Sequence, residues 1–175
     1  MAKLNIDGVT TFEYTKVIGI ENIEFGKNII IDDFVLIYAK GKVKIGNNVH
    51  IASFTTITGG EYLEIGDFVA ISSGSRVFTG SDDFKDHGFG NSTIAEKYRN
   101  VRRSPVIIYR FCIIGANSVI LPGVTIEEGV TVGAGSVVTR DLKEWGIYIG
   151  NKRVGERDKA GVLRNYEQYL SDNNQ

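Results

Sequence analysis

A period of six residues constrains the fold of this chain more than any other feature of its sequence. From Ile108 to Val138 every sixth residue is isoleucine or valine, and a second position four residues later holds only small or β-branched side chains. A period of six fits neither the 3.6 residues of an α-helical turn nor the two-residue alternation of a long strand. It predicts a parallel β-helix, in which short strands wind into a triangular prism and both repeating positions point into the core.

The first half of the chain repeats with a longer period. Three similar segments begin at Ile23, Val43 and Leu63, twenty residues apart, and the six-residue spacing continues inside each of them. Each early coil therefore holds three sixes and two extra residues, near Lys40–Gly41 and Gly60–Glu61, and these pairs should stack along one edge of the prism. The repeats predict about five coils in all, with a partial coil before them.

Two regions depart from the repeat. The six-residue pattern is lost between Val77 and Pro105, where the chain becomes polar and charged. A long insertion in a compact domain is usually functional or disordered, and the aromatic residues of this one favour an ordered loop. A loop that projects from one edge of a prism has no partner on its own chain, so we expect a neighbouring subunit to contact it. Apolar residues recur at helical spacing from Val162 to Leu170, which predicts an amphipathic helix that covers the open end of the solenoid.

These patterns predict a single domain that is all-β apart from its last helix. We divide it into an N-terminal cover and partial coil (1–22), the coils (23–143) with an inserted loop (78–105), and a C-terminal extension with the helix (144–175). The cover is expected around residues 10–14. The 21 glycines, about 12% of the chain against a usual 7%, suit the many corners of a solenoid.

Composition and charge exclude several classes of protein. The single cysteine, Cys112, occupies an inward position and cannot form an internal disulfide. The N-terminus has no apolar stretch of signal-peptide length and no apolar run approaches a membrane span, so we expect a cytoplasmic protein that does not bind membranes. Residues 1–96 hold 8 basic and 13 acidic residues, whereas residues 97–164 hold 12 and 6. This modest positive half suits a small polyanionic ligand rather than nucleic acid.

The C-terminal repeats resemble a known family. The run from Ile114 reads Ile-Gly-Ala-Asn-Ser-Val-Ile-Leu-Pro-Gly-Val-Thr-Ile, and Val132 opens Val-Gly-Ala-Gly-Ser-Val-Val-Thr-Arg-Asp. Both are similar to the hexapeptide-repeat acyltransferases, above all to the galactoside and maltose O-acetyltransferases and the O-antigen sugar acetyltransferases of lipopolysaccharide biosynthesis. The resemblance spans residues 20–157 and implies a left-handed parallel β-helix (a hexapeptide-repeat solenoid). It also implies a homotrimer with active sites between subunits, acetyl-CoA as donor, and a sugar or nucleotide-sugar acceptor.

Acetyl transfer to a hydroxyl or amine requires a base, and the chain has two histidines. His50 follows an inward valine, so it should point outward from a flat face one coil before the insertion, whereas His87 lies in the insertion itself. The galactoside branch places its catalytic histidine after a Thr-Gly at the start of this loop, where this chain reads Thr79-Gly80-Ser81. O-antigen relatives carry a His-Ile-Ala like the one at His50, which favours His50 as the base and leaves His87 as the alternative.

Other residues would complete the site. The acceptor would be bound by polar residues at the subunit junction, namely Ser53, Ser81, Asp82 and Asp83, and one of the two aspartates would orient the imidazole. Backbone amides of the last coils would bind the pantetheine of CoA and the thioester oxygen, at Gly115, Gly133 and Gly135. Basic side chains would bind the CoA phosphates, at Arg140, Lys143, Lys152 and Arg153. The family usually ends this region in Gly-Asn-Pro-Ala, and the absence of Pro-Ala here leaves the adenine contacts undefined.

Two other functions use a similar prism. A γ-type carbonic anhydrase binds zinc through three histidines, and this chain has only two, so we expect no metal. A non-catalytic structural or ice-binding β-helix would have regular flat faces and little use for a charged insertion. The sequence favours the transferase and leaves O- and N-acetylation both open.

Overall fold

The computed structural model describes residues 4–83 and 85–173, and it confirms the predicted hexapeptide-repeat parallel β-helix. The chain passes in turn through three parallel sheets, A, B and C, in about seven turns, two more than the repeats predicted. Sheet A contains β1 (Val9–Thr11), β4 (Ile29–Ile31), β7 (His50–Ile51), β10 (Ala70–Ile71), β15 (Ile113–Ile114), β18 (Thr131–Val132), β20 (Gly146–Ile149) and the antiparallel β21 (Lys152–Glu156). Sheet B contains β2 (Lys16–Ile18), β5 (Leu36–Tyr38), β8 (Thr56–Thr58), β11 (Arg76–Phe78), β16 (Val119–Ile120) and β19 (Val137–Val138). Sheet C contains β3 (Ile23–Phe25), β6 (Val43–Ile45), β9 (Leu63–Ile65), β14 (Val106–Ile108) and β17 (Thr125–Ile126).

Hydrogen bonds between successive turns stack equivalent residues of the repeat. Ile31 pairs with Ile51 and Ile51 with Ile71, at intervals of 20 residues, whereas Ile114 pairs with Val132 at an interval of 18. All five side chains are at most 1% exposed. The hydrophobic effect contributes about 1.5–3 kcal/mol for each large aliphatic side chain buried in this way. The column predicted from the sixes is therefore the core of the prism.

The edge between sheets B and C holds the two residues by which each early coil is longer than three six-residue repeats. A Cβ on Gly41 would lie 2.9 Å from the carbonyl oxygen of Glu61, so the two extra pairs stack on each other as predicted. Gly59 adopts φ 136° at this edge, a conformation that side-chain-bearing residues rarely take. The edge thus accepts additional chain while the inward residues keep their register.

The inserted loop leaves from this same B–C edge. β11 ends at Phe78 and β14 begins at Val106, so the loop comprises residues 79–105. At its base β12 (Gly80–Ser81) pairs in antiparallel fashion with β13 (Arg102–Arg103), and the Ser104 N–H donates to the Thr79 carbonyl at 3.0 Å. The loop therefore begins and ends at one point of the solenoid.

An exposed stack of aromatic rings follows the edge between sheets A and B. Tyr14, Phe34 and Phe54, here called the aromatic ladder, stack in parallel with ring centroids 5.3 and 5.2 Å apart. Each side chain is more than half exposed. Phe34 and Phe54 adopt φ 61° and 64°, and such a left-handed conformation costs a bulky residue about 1–3 kcal/mol. Stacking of each pair of rings stabilises the structure by only about 0.5–1.5 kcal/mol, which does not exceed this conformational cost.

The C-terminal helix lies along the edge between sheets C and A, and this corrects the prediction that it covers the open end. α1 (Lys159–Asn173) places Tyr166 and Tyr169 edge-on against the ring of Phe68, with centroids 5.3 Å apart in both cases. The Tyr169 hydroxyl donates to Asn48 Oδ1 at 3.1 Å. The helix follows this edge because the aromatic rings there give its tyrosines an apolar surface.

The two ends of the solenoid also differ from the prediction. Residues Val9–Thr11, expected as part of a cover, form β1 and pair with β4, so the first coil begins earlier than the repeats indicate. Thr11 is fully buried at a position where the later coils place isoleucine, which hid this coil from the pattern. At the other end Leu142 and Tyr148 join the core. No helix among the described residues is long and apolar enough to cross a membrane.

Candidate active site

A cleft of about 330 Å³ opens at the base of the inserted loop, on the B–C edge. The base of the loop forms one wall, and the corners of the following turns form the other. We call it the loop-base cleft, and its lining residues are Ser81, Asp82, Asp83, Lys85, Arg102, Ser104, Leu121, Pro122 and Thr139. It brings together three of the four predicted acceptor-binding residues. The fourth, Ser53, lies on the A–B edge beside Phe54, away from the cleft.

Asp83 organises the loop. Its Oδ1 accepts hydrogen bonds from the N–H groups of Lys85 and Asp86 at 3.0 and 2.8 Å. Its Oδ2 accepts from the Gly88 N–H at 3.1 Å and from the Asn100 side-chain amide at 2.9 Å. These donors, the Asp86 N–H first among them, hold the pKa of this carboxyl well below its usual range. A carboxylate bonded in this way is a poor proton acceptor, but it fastens the two limbs of the loop together.

Asp82 is the more available carboxylate of the cleft. Its Oδ1 accepts a hydrogen bond from the Arg99 guanidinium at 3.0 Å, and its side chain is 39% exposed. Within residues 4–83 and 85–173 no group donates to Asp82 Oδ2. Arg99 is largely buried, so it holds the carboxylate from the protein side. The second oxygen therefore remains free to bind a ligand.

Neither histidine lines the loop-base cleft. His50 projects from sheet A with its side chain 49% exposed, and its Nε2 lies 3.2 Å from Oδ2 of Asp32 on the preceding coil. His87 is exposed in the inserted loop. Within one subunit, the carboxylate beside the His50 ring is thus that of Asp32, a residue of the coil, whereas Asp82 and Asp83 lie in the loop. An imidazole held by a carboxylate is an arrangement suited to general-base catalysis.

The four basic residues predicted for the CoA phosphates fall into two groups. Lys143 donates to Glu127 at 2.7 Å, an ion pair that raises the pKa of the lysine. Arg153 lies 3.3 Å from Glu156. Arg140 and Lys152 have no such partner within the described ranges.

Arg140 and Lys152 are both next in sequence to residues at the wall of the cleft. Thr139, which lines the cleft and precedes Arg140, bonds the Asn151 side chain through its N–H at 2.9 Å and its hydroxyl at 2.7 Å. Asn151 in turn precedes Lys152 in the chain. Arg140 and Lys152 are therefore each one residue away from the Thr139–Asn151 link at the cleft wall.

The three glycine amides expected to bind pantetheine are already used inside the subunit. The Gly115 N–H donates to the Val132 carbonyl at 2.8 Å, and those of Gly133 and Gly135 donate to backbone carbonyls at 2.7 and 2.8 Å. The structure differs from the expectation because the bonds that stack one coil on the next consume these donors. Only Gly135 offers open space, since nothing lies within 4 Å of a Cβ added there.

Two other kinds of chemistry find no support in the structure. Cys112 is completely buried, and burial raises the pKa of its thiol to about 12, which suits a core residue and not a nucleophile. Among the described residues no three His, Cys, Asp or Glu side chains are grouped as a metal site.

Sequence reasoning missed Asp32, Arg99 and Lys85. Asp32 could have been found, because the 20-residue interval pairs Ile30 with His50 on the next coil and brings Asp32 near the imidazole. Arg99 and Lys85 lie in the loop, where no period relates one residue to another.

The fold and the cleft define a class of protein, a parallel β-helix with a polar cleft beside an insertion in the solenoid. A family model described as bacterial transferase hexapeptide (six repeats) matches residues 105–140. The dTDP-4-amino-4,6-dideoxy-D-glucose acyltransferase of Escherichia coli is 33% identical over 144 residues, which cover 81% of this chain and 75% of that protein. The chain therefore belongs to the hexapeptide-repeat acyltransferases, and the prediction of a CoA-dependent transferase is confirmed.

Solved structures agree with this assignment. AntD, an N-acyltransferase from Bacillus cereus in complex with dTDP and 3-hydroxybutyryl-CoA, is 36% identical, with a TM-score of 0.90 over 96% of this chain and 89% of its own. Another AntD structure, of a serine variant, holds dTDP-4-amino-4,6-dideoxyglucose and coenzyme A and has a TM-score of 0.88. A maltose O-acetyltransferase from Clostridium difficile 630, 21% identical with a TM-score of 0.56, shares the fold alone.

Proposed function

We propose that this chain transfers an acetyl group from acetyl-CoA to the amino group of a nucleotide-linked amino sugar, acting as a homotrimer with His50 as general base. The observation that carries the proposal is the loop-base cleft, in which one carboxylate oxygen of Asp82 receives no hydrogen bond from the described residues. A sugar ammonium group complements this oxygen in charge, whereas a neutral hydroxyl does not. The ligands named for AntD and the substrate named for the Escherichia coli relative support an amino-sugar acceptor.

The AntD variants add support for the aspartates of the loop. They are altered at one serine and at one aspartate that lies ten positions later. This chain contains that spacing twice, as Ser72 with Asp82 and Ser73 with Asp83. Asp83 is saturated by hydrogen bonds, so Asp82 is the aspartate that we propose to contact the acceptor.

The outward faces of the prism support the homotrimer. Sheet C presents charged side chains, such as the Lys44–Glu64 ion pair at 3.3 Å. Sheets A and B present many apolar ones, among them Ile30, Ile113, Leu36, Val119 and Val137. These two sheets meet at the exposed aromatic ladder. Three prisms joined at their A–B edges would cover both sheets and the ladder, and would leave the charged sheets in water.

The same arrangement gives His50 a role in a neighbouring site. When three triangles meet at one corner, face A of each opposes face B of the next across a gap, and the outer end of face A looks across this gap to the B–C edge of that neighbour, from which the loop projects. His50 lies near the outer end of sheet A, two residues after Asn48 at the C–A corner and four before Phe54 at the A–B corner. It would therefore face the inserted loop of the adjacent subunit, where it would accept the proton of the attacking amine.

The acceptor class can be tested by direct comparison of an amine and a hydroxyl. With acetyl-CoA, dTDP-4-amino-4,6-dideoxyglucose should give a kcat/KM about a hundredfold or more above that of dTDP-6-deoxyglucose, which has a hydroxyl at the same carbon, because Asp82 recognises the charged amine. Release of CoA and the mass of the product measure the reaction. Equal turnover of the two sugars would contradict the proposal, and 3-hydroxybutyryl-CoA run in parallel would reveal a preference for a longer acyl group.

Of the four basic residues proposed for the CoA phosphates, two should contribute to the binding of acetyl-CoA and two should not. Replacing Arg140 and Lys152 together by Ala should raise the KM for acetyl-CoA about tenfold and change kcat less, since the phosphates are remote from the reacting carbonyl. The matched control replaces Lys143 and Arg153, whose charges are already paired with glutamates. If the control variant shows the same increase in KM, the CoA phosphates do not bind specifically at Arg140 and Lys152.

A further inference from the structure

The basic residues of the inserted loop differ in whether they have a carboxylate partner. Arg99 pairs with Asp82 at 3.0 Å, Arg103 with Glu96 at 3.7 Å, and Arg102 with Asp86. In the part of the chain that the structure describes, Lys85 and Lys97 have no carboxylate within ion-pairing distance. Lys97 lies over the ring of Tyr98, with its Nζ 4.8 Å from the centroid. Lys85 instead lines the loop-base cleft.

The acidic residues of the cleft do not pair with Lys85. Asp82 is paired with Arg99, and Asp83 is held by four neutral hydrogen-bond donors, three of them backbone N–H groups. Among the described residues, Lys85 is therefore the cation lining the cleft whose ammonium group has no carboxylate partner. The hydroxyl groups of Ser81 and Ser104 line the same cleft and are able to donate to an anion.

We propose that Lys85 binds the diphosphate of the nucleotide sugar, which places the amino sugar between Lys85 and the free oxygen of Asp82. This inference rests on the function proposed above and assigns one end of its acceptor. A cleft of about 330 Å³ is at the small end of ligand sites and holds a sugar and its phosphates rather than a whole nucleotide. The nucleoside would thus extend out of the cleft, past the exposed limb of the loop.

A diphosphate also occurs in CoA, so the source of the anion has to be distinguished. The free cations Arg140 and Lys152 lie beside Thr139, on the wall that faces the last turns of the solenoid. Lys85 belongs to the opposite wall, formed by the loop. Two separate cationic positions suit two phosphate-bearing ligands that approach from opposite sides, and Lys85 is the position on the acceptor side.

Titration calorimetry with dTDP and with CoA, each alone, tests the assignment on the full-length protein. Lys85→Ala should weaken the binding of dTDP about tenfold to a hundredfold and leave the Kd of CoA unchanged, since a hydrogen bond to a charged group is lost. Lys85→Arg should restore most of the affinity. The control Lys97→Ala, in the same loop but over Tyr98, should bind both ligands as the unaltered protein does.

The other outcomes separate the two proposals. Weaker binding of CoA with unchanged binding of dTDP would overturn the assignment, because the cleft would then take the donor's diphosphate. Unchanged binding of both ligands would also overturn it. If the unaltered protein binds CoA but not dTDP, the nucleotide-sugar acceptor itself is wrong, whatever Lys85 does.

Discussion

The His50→Ala variant should lose at least about a hundredfold in kcat for the amino-sugar acceptor, within the range of about 10² to 10⁴ that general bases contribute. Binding of acetyl-CoA should be unaffected, because the phosphates that the donor cations are proposed to bind are remote from the reacting carbonyl. The fold should also be unaffected, since the imidazole is half exposed and bonded only to Asp32 among the described residues. Steady-state kinetics together with the Kd for CoA separate the chemical step from binding.

Three further variants give this experiment its controls. Asp32→Asn should reduce kcat by less than the loss of the imidazole, because it removes only the group that orients the ring. His87→Ala should act mainly through the KM of the acceptor, since His87 is exposed in the loop. Asp82→Asn should also raise the acceptor KM. If His50→Ala is active while Asp82→Asn or His87→Ala has lost its kcat, the base is in the loop and not on the coil.

The Phe54→Asp variant should dissociate the protein into subunits of 19.3 kDa and abolish most of its activity. Three carboxylates would be brought together at the proposed threefold axis, and burial of unpaired charge costs several kcal/mol, which corresponds to a loss of about a thousandfold or more in association. The coil itself should tolerate the change, because Asp adopts the left-handed conformation of residue 54 more readily than Phe does. Sedimentation equilibrium gives the mass.

The matched control is Ile107→Asp, which adds the same charge to an outward position of sheet C. It should remain trimeric and active, because that sheet faces water in the proposed arrangement. A Phe54→Asp protein that keeps three subunits would place the contact on another edge. If the variant is monomeric but fully active, each subunit holds a complete site and His50 does not act across an interface.

The architecture was predictable wherever one physical requirement recurs in every coil. Each inward position must be filled by an aliphatic or small side chain, so Ile31, Ile51 and Ile71 appear at fixed intervals and reveal both the core and the two-residue insertions. The loop could be identified in the sequence because it interrupts the regular spacing of these inward residues. Thr11 shows the limit, because a threonine in an inward position was enough to hide the first coil.

The site was predictable only in part, because its residues obey no period. The sequence identified Asp82 and Asp83 as candidate binding residues. It did not show which of the two carboxylates receives the hydrogen bonds of the loop. That distinction depends on the backbone turn after Asp83, which aims three backbone N–H groups at this carboxylate. It also depends on Asn100, seventeen residues further along the chain. The glycines of the last coils are a related case. The sequence predicts a corner at each of them, but it does not show that the backbone N–H group already donates to a carbonyl of the neighbouring coil.

The B–C edge has a consequence for how chains of this kind diverge. Because extra residues at this edge leave the buried column in register, an excess of two residues between Val43 and Leu63 and one of twenty-five between Leu63 and Val106 are both compatible with the coils that flank them. The loop residues proposed to contact the acceptor are thereby encoded apart from the repeats that form the scaffold. Selection is free to lengthen, shorten or replace the loop without revising the repeats, so closely similar solenoids should be found with very different acceptors.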